Sequence, residues 1–351
     1  MKSIARMSLK PGMEIAENVY SYDNKLILKK DTILEAADIK KLAIYSIVCI
    51  SIKDAEDYAT THFEKLRLTN AFQNFERVYK NNLNVFKFMT NNLITKGTPI
   101  NMESLMLLHN NVRACATSGE QLLDMLYNML PSEDDMTYVH CFNSALVCNV
   151  FGQWLCISKE DIVTLTLCGF FYDIGKMKLP NNLIWKPGKL TDLEYDWIKT
   201  HTDLGYDILK NSGLNSHILN CALMHHERCD GSGYPNHLTE DKIDFFSKCI
   251  SIVDSYEAMT SARIYRTSLN PFQIINDFEN KGLEKYSIYI IKPILEHIAN
   301  NQLGKTVRLS DDTIGEVIYI NKDALAYPLI KVNNTVIDLS LKKDIDIKYM
   351  L

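Results

Sequence analysis

The stretch HHERCDGSGYP at residues 225–235 constrains this chain more than any other. Two adjacent imidazoles followed by a stiff glycine-rich turn are costly to keep for packing alone, because every buried ring nitrogen needs a partner. Upstream lie His140, the pair Tyr172-Asp173 in FFYDIGK, and His201 in KTHTDLG; downstream, Asp254 sits in SIVDSYEAMTS. Together they form an ordered series of nitrogen and carboxylate donors, which reads as a metal site. Taken singly, His140 or His201 reads as a hydrogen-bonded structural histidine, and Asp254 as a helix-terminal or ion-paired carboxylate. The remaining histidines, His62, His109, His217, His237 and His297, lack such a context and read as structural or exposed.

A length of 351 residues with 46% hydrophobic content predicts two to three domains and a sizeable core. The net charge of −5 supplies no general basic field, which argues against long nucleic acid as the main partner and leaves small anionic ligands to local sites. Nine cysteines, odd in number and without a CxxC pair, read as reduced, mostly buried thiols of a cytoplasmic protein. The most apolar run, LAIYSIVCISI at 42–52, is far shorter than the ~20 residues that span a bilayer, and MKSIARMSLK lacks the apolar segment of a signal peptide. A soluble protein with no membrane partner is expected.

Four regions follow from the patterning. Residues 1–55, with β-branched runs at 25–28 and 47–52, predict a small, mostly β lead-in. Residues 56–130 change to helical spacing, as a linker or regulatory region. Phe72, Phe75, Tyr79, Leu83, Phe86 and Leu93 mark one helix ending at Lys96-Gly97-Thr98-Pro99, and Leu105 to Met129 mark a second. The second helix suits packing on the first, and equally a parallel seam between two copies, which leaves a homodimer open. Residues 131–300 are helical in pattern and hold every proposed ligand. Residues 303–351 alternate short strands with turns at 311–312, 321–322 and 333–334, a small β-module. The fold class is therefore mainly α, with small β regions at both ends.

The motifs FFYDIGK, HHERCDGSGYP and VDSYEAMTS resemble those of the HD-GYP family, metal-dependent phosphodiesterases of cyclic di-GMP. The resemblance covers 131 to about 300 and implies an all-helical domain with two transition-metal ions, iron or manganese. Such a pair binds phosphoryl oxygens and lowers the pKa of a water between the ions. By resemblance, Asp173 bridges the ions and His201, His225 and His226 complete one half-site. The other half-site would use His140, Tyr172, Asp173 and Asp254. A third ion is not expected, because the position of the glutamate that some members use is Met136.

Tyr172 is the departure, standing where the family has the histidine of His-Asp. A phenol with an ordinary pKa of ~10 must lose its proton to ligate a divalent ion. Three readings stay open: a weakened half-site with a single ion, a tyrosinate bound to iron, or a ring packed inward after Phe170-Phe171. The resemblance also assigns Lys176 to phosphate stabilisation beside Asp173, Arg263 and Arg266 to substrate phosphates, and Tyr234 to substrate contact on an exposed loop. Glu227, Arg228 and Asp230 are expected to brace that loop. Ala262, Ile264 and NKGLEKYSIYIIKP depart from the family pattern. The implied function is hydrolysis of cyclic di-GMP to pGpG or GMP in bacterial signalling, with diguanylate cyclase-type proteins as partners through the loop. The rival is a degenerate member that binds cyclic di-GMP or a protein and turns over little.

Overall fold

The computed structural model describes residues 2–53, 62–129, 136–184, 186, 188–260, 269–342 and 344–351. The amino-terminal module pairs β1 (Lys2–Ala5) with the later strand Cys49–Ile52 in antiparallel register, Ser3 opposite Ser51. Between them, β2 (Val19–Tyr20) pairs with β3 (Leu26–Leu28), and α1 (Ala36–Ile44) precedes that last strand, β4. A mostly β lead-in does not anticipate α1. Its start is set by a capping box between Glu35 and Asp38, and its buried Leu42 joins Ile4, Met13, Ile15, Leu34 and Ile52 in a core of this module alone.

After α2 (His62–Leu68), α3 (Asn70–Lys96) is capped by the Thr69 hydroxyl, which accepts from Phe72 N, and stops at Gly97 with φ 67°. All six apolar residues of the expected stripe are buried. The second expected helix is broken into α4 (Met102–Arg113) and α5 (Gly119–Tyr127). The Ser118 side chain accepts from Gln121 N and starts α5 afresh, while three/four spacing continues through the break and hides it from a periodicity reading. Leu105, Leu108, Val112, Leu122 and Leu126 all bury within this one chain.

The helices that follow are α6 (Met136–Trp154), α7 (Lys159–Phe171), α8 (Asn181–Ile184), α9 (Asp192–Lys199), α10 (His201–Leu209), α11 (Ser216–Met224), α12 (Phe245–Thr260), α13 (Pro271–Lys281) and α14 (Ile288–Asn300). A 3-10 turn at Ile174–Lys178 packs directly on α10. Gly175 permits that approach, since a Cβ there would lie 1.9 Å from His201 O. Helices α6, α7, α11 and α12 pack on one another and are apolar around most of their circumference, so they form the buried kernel.

The carboxyl-terminal sheet comprises β5 (Thr306–Leu309), β6 (Ile314–Tyr319), β7 (Leu329–Val332), β8 (Thr335–Asp338) and β9 (Ile347–Met350), in the antiparallel order β8-β7-β6-β5-β9. Asp312 and Asn333 take positive φ at two hairpin turns. Its inner face, with Val307, Leu309, Val317 and Ile330, is continuous with the helical core, and Asn270 Nδ2 donates to Ile347 O at 2.8 Å. All nine cysteines are free, five of them buried. No helix among the described residues is long and apolar enough to cross a membrane.

Candidate metal centre

Two groups of side chains converge beyond the end of α7. Asp173, His201, His225 and His226 make one, and His140, Asp173 and Asp254 the other, with one ligand-type atom of each residue within 4.8 Å of the rest. Asp173 belongs to both groups and is fully buried. Its Oδ1 faces the first, 3.4 Å from His201 Nε2 and 3.6 Å from His225 Nε2. Its Oδ2 faces the second, 3.5 Å from His140 Nε2, and accepts from Lys176 Nζ at 2.6 Å.

Helix ends set this geometry. His201 opens α10 and donates from Nδ1 to Ile198 O at 2.7 Å; His225 caps α11 and donates from Nδ1 to Cys221 O at 2.9 Å. Each ring thus presents Nε2 to the other, and the two Nε2 atoms lie 3.1 Å apart. Burial, reinforced by the Lys176 ammonium, lowers His201 to about 3; burial and then His225 hold His226 well below its ordinary range. Asp173 Oδ1 is buried without a hydrogen-bond partner among the described residues. Ring nitrogens and a buried carboxylate oxygen aimed at one point are placed as a cation's ligands would be. Imidazole nitrogens with a carboxylate oxygen fit a transition-metal ion, and the carbonyl partners of both Nδ1 atoms are the usual orienting contacts of metal-binding histidines.

The second group differs. The His140 ring sits between two carboxylates of α12, Asp254 Oδ1 at 3.0 Å from Nε2 and Glu257 against Nδ1. Burial opposes a charged ring, but Glu257 and Asp254 push His140 up to about 9. The Tyr172 ring is fully buried between His140 and His225. Its hydroxyl lies 2.5 Å from His140 Nε2 and donates to Asp254 Oδ1 at 3.3 Å, with Ser144 Oγ at 3.0 Å. Inward packing and a place at the site are thus both realised. Burial first, then Asp254 and Asp173, raise the phenol well above its ordinary range. Burial also opposes the Lys176 charge, but Asp173 and Asp254 raise the ammonium and keep it on Oδ2.

The glycine-rich loop is braced as expected. Glu227 accepts from Asn236 N at 2.7 Å and Leu238 N at 2.9 Å, Arg228 Nη1 donates to His225 O at 3.1 Å, and Asp230 accepts from Ser232 N at 2.9 Å. Tyr234, however, is not held out on an exposed loop. It is half-buried and stacks on His226 at 4.6 Å and 24°. Gly231 takes a left-handed φ of 79°, whereas Gly233 is required for space: its Cβ would come within 2.4 Å of the Glu227 and Arg228 backbone. Arg263 and Arg266, with Ala262 and Ile264, lie outside the described residues. Glu257 is a site residue that the sequence reading passed over, although it falls three residues after Asp254 and so on the same helix face.

Residues 122–287 match the family described as "HD domain". The chain carries an HD-superfamily domain of the HD-GYP-like kind. Over 205 residues it is 28% identical to a cyclic di-GMP phosphodiesterase of Pseudomonas aeruginosa, covering 58% of this chain and 49% of that protein. A cyclic di-GMP phosphodiesterase of Thermotoga maritima is 31% identical over 203 residues, 55% of this chain and 54% of that protein. A 3'3'-cGAMP-specific phosphodiesterase of Vibrio cholerae is 36% identical over 153 residues, 43% of this chain and 35% of that protein. The chain therefore spans about half the length, or less, of these relatives. A solved HDG"Y"P protein from Bdellovibrio bacteriovorus aligns with a TM-score of 0.49 and 16% identity over 85% of this chain and 99% of that one, too loose a likeness to carry argument. Within the HD-GYP-like domain, Tyr172 occupies the departure noted above.

Proposed function

We propose that this chain is a metal-dependent phosphodiesterase of cyclic dinucleotides, with cyclic di-GMP as its substrate. The observation that carries the reading is the convergence of His201 Nε2, His225 Nε2 and the buried Asp173 Oδ1 on one point beside His226. The relatives named above, which are phosphodiesterases of cyclic di-GMP or 3'3'-cGAMP, support the substrate class. Asp173, His201, His225 and His226 would hold one ion, and His140, Asp173 and Asp254, with Tyr172 beside them, a second, as iron or manganese. Bound there, the ions would supply Lewis acidity towards a phosphodiester and a nucleophile at neutral pH.

The chain's own groups do the rest. Lys176 is the cation next to Asp173 and is 20% exposed, so it can meet a phosphate oxygen without leaving its carboxylate. Tyr234, half-buried and stacked on the His226 ring, is proposed to offer its aromatic ring to a base. Arg263 and Arg266 are proposed to fork onto the ligand's phosphates. Turnover of cyclic di-GMP and 3'3'-cGAMP by the full chain, loaded with iron or manganese under reducing conditions, tests the reading; pGpG or GMP as product supports it. No hydrolysis of either nucleotide at full metal loading overturns it.

A second reading, a binder with little turnover, draws on two contacts: the protonated Tyr172 hydroxyl in the His140 group, and the Lys176 ammonium already on Asp173 Oδ2. Calorimetric binding of cyclic di-GMP without turnover would favour it.

A further inference from the structure

Behind His140 runs a chain of buried hydrogen bonds that ends on a helix outside the residues matched as an HD domain. His140 Nδ1 contacts Glu257 Oε2. Glu257 Oε1 accepts from Asn143 Nδ2 at 2.9 Å, and Asn143 Oδ1 accepts from Tyr79 Oη at 2.7 Å. Tyr79, Asn143 and Glu257 are 2%, 5% and 3% exposed, so water does not substitute for any link. Tyr79 belongs to α3, well before residue 122.

We propose that Glu257 is a positioning residue for His140, and that Tyr79 on α3 fixes its aim through Asn143. The inference rests on reading His140, Asp173 and Asp254 as a metal half-site. The logic is one of donors and acceptors. A carboxylate at Nδ1 holds the proton there and turns Nε2 towards Asp173 and Asp254, the arrangement by which outer contacts orient metal-binding histidines. Asn143 can supply that carboxylate with a donor only in one of its two amide orientations. The Tyr79 hydroxyl, held protonated by burial and the nearby Glu257, donates to the Asn143 oxygen and pins the amide in that orientation. Without it, the Asn143 oxygen loses its buried donor and the amide's hold on the carboxylate loosens. The tilt of α3 thereby becomes a setting of the His140 half-site, and only α2 stands among the described elements between α3 and the amino-terminal module.

Two measurements on the full chain test this. In metal-free protein with 15N-labelled histidine, the His140 ring signals are assigned by their loss in His140→Ala. Tyr79→Phe and Glu257→Gln should both shift the Nδ1 and Nε2 resonances, while melting stays cooperative. Manganese(II) uptake, followed by the resonance of the free ion, should then weaken about 10- to 100-fold for the His140 half-site in Glu257→Gln, and by a smaller factor in Tyr79→Phe. Uptake at the His201 and His225 half-site should not change. Unmoved His140 signals in both variants overturn the proposal. Wild-type protein that takes up no manganese, iron or zinc would instead defeat the metal reading, and the ring signals would still decide the positioning role. Because Tyr79→Phe removes a single oxygen and keeps the aromatic packing, a folding failure in Glu257→Gln leaves the test intact.

Discussion

His201 Nε2 and His225 Nε2 face each other across 3.1 Å while each ring's Nδ1 proton is engaged by a backbone carbonyl. With a buried carboxylate oxygen of Asp173 aimed at the same point, the ligands are assembled only in the folded chain, so a bound ion adds to stability. Chelation should therefore lower the melting temperature, and metal at about 100 times its Kd should restore roughly 2.7 kcal/mol of stability. His225→Ala and His226→Ala should lose most of the bound metal, and His140→Ala much less, as read by elemental analysis of untagged protein. Complete metal loss in His140→Ala with retention in His225→Ala would reverse this ranking of the half-sites.

Tyr172→His should increase uptake of a second ion and raise turnover, because a neutral imidazole needs no deprotonation whereas the buried phenol is held protonated. If the wild-type protein is already active and the substitution slows it, tyrosinate ligation is the better account. A ferric charge-transfer band lost in Tyr172→Phe would then identify it.

His109, 1% exposed on α4, has its pKa lowered to about 4 by burial, with Asn110 opposing and Arg113 reinforcing. The unfolded chain, with a histidine pKa of ~6.5, binds the proton more readily. Stability should fall as pH drops from about 6.5 to 4, by roughly 3 kcal/mol from this group. In His109→Leu that part of the acid limb should flatten, as measured by urea midpoints across the window. An unchanged slope would mean that His109 does not enter the transition.

Gly175→Ala should be among the most damaging single substitutions, since its Cβ would overlap His201 O at 1.9 Å and push α10 away from Asp173. A loss above about 4 kcal/mol, or failure to accumulate folded protein, is expected. Gly205→Ala meets its neighbours at 3.4 Å and should cost under about 1 kcal/mol, which thermal melts of the pair would show.

What could be read from the chain depended on how far apart the partners lie. The ligands cluster in short motifs, so His225-His226 and Tyr172-Asp173 announced themselves, and the six-residue stripe of α3 gave both its buried face and its end at Gly97. The link from Tyr79 to Asn143 spans 64 residues and that from Asn143 to Glu257 spans 114, and nothing local marks either. The break between α4 and α5 was hidden because Leu122 and Leu126 keep the phase of Leu105 and Leu108. Tyr234 was misplaced for a different reason: loop composition predicts rigidity, but only the position of His226 decides which way the ring turns.

The flanks of the helical kernel differ in how they could be inherited. The amino-terminal module closes its own core, with Ile4, Leu42 and Ile52 facing one another, whereas Val307, Leu309 and Ile330 complete an interior begun by the helices. The first could be exchanged for another module with its hydrophobic interior intact. The second is welded on: a protease cut near Gly304 would leave the kernel with an open seam, so the sheet and the helices should melt, and evolve, together.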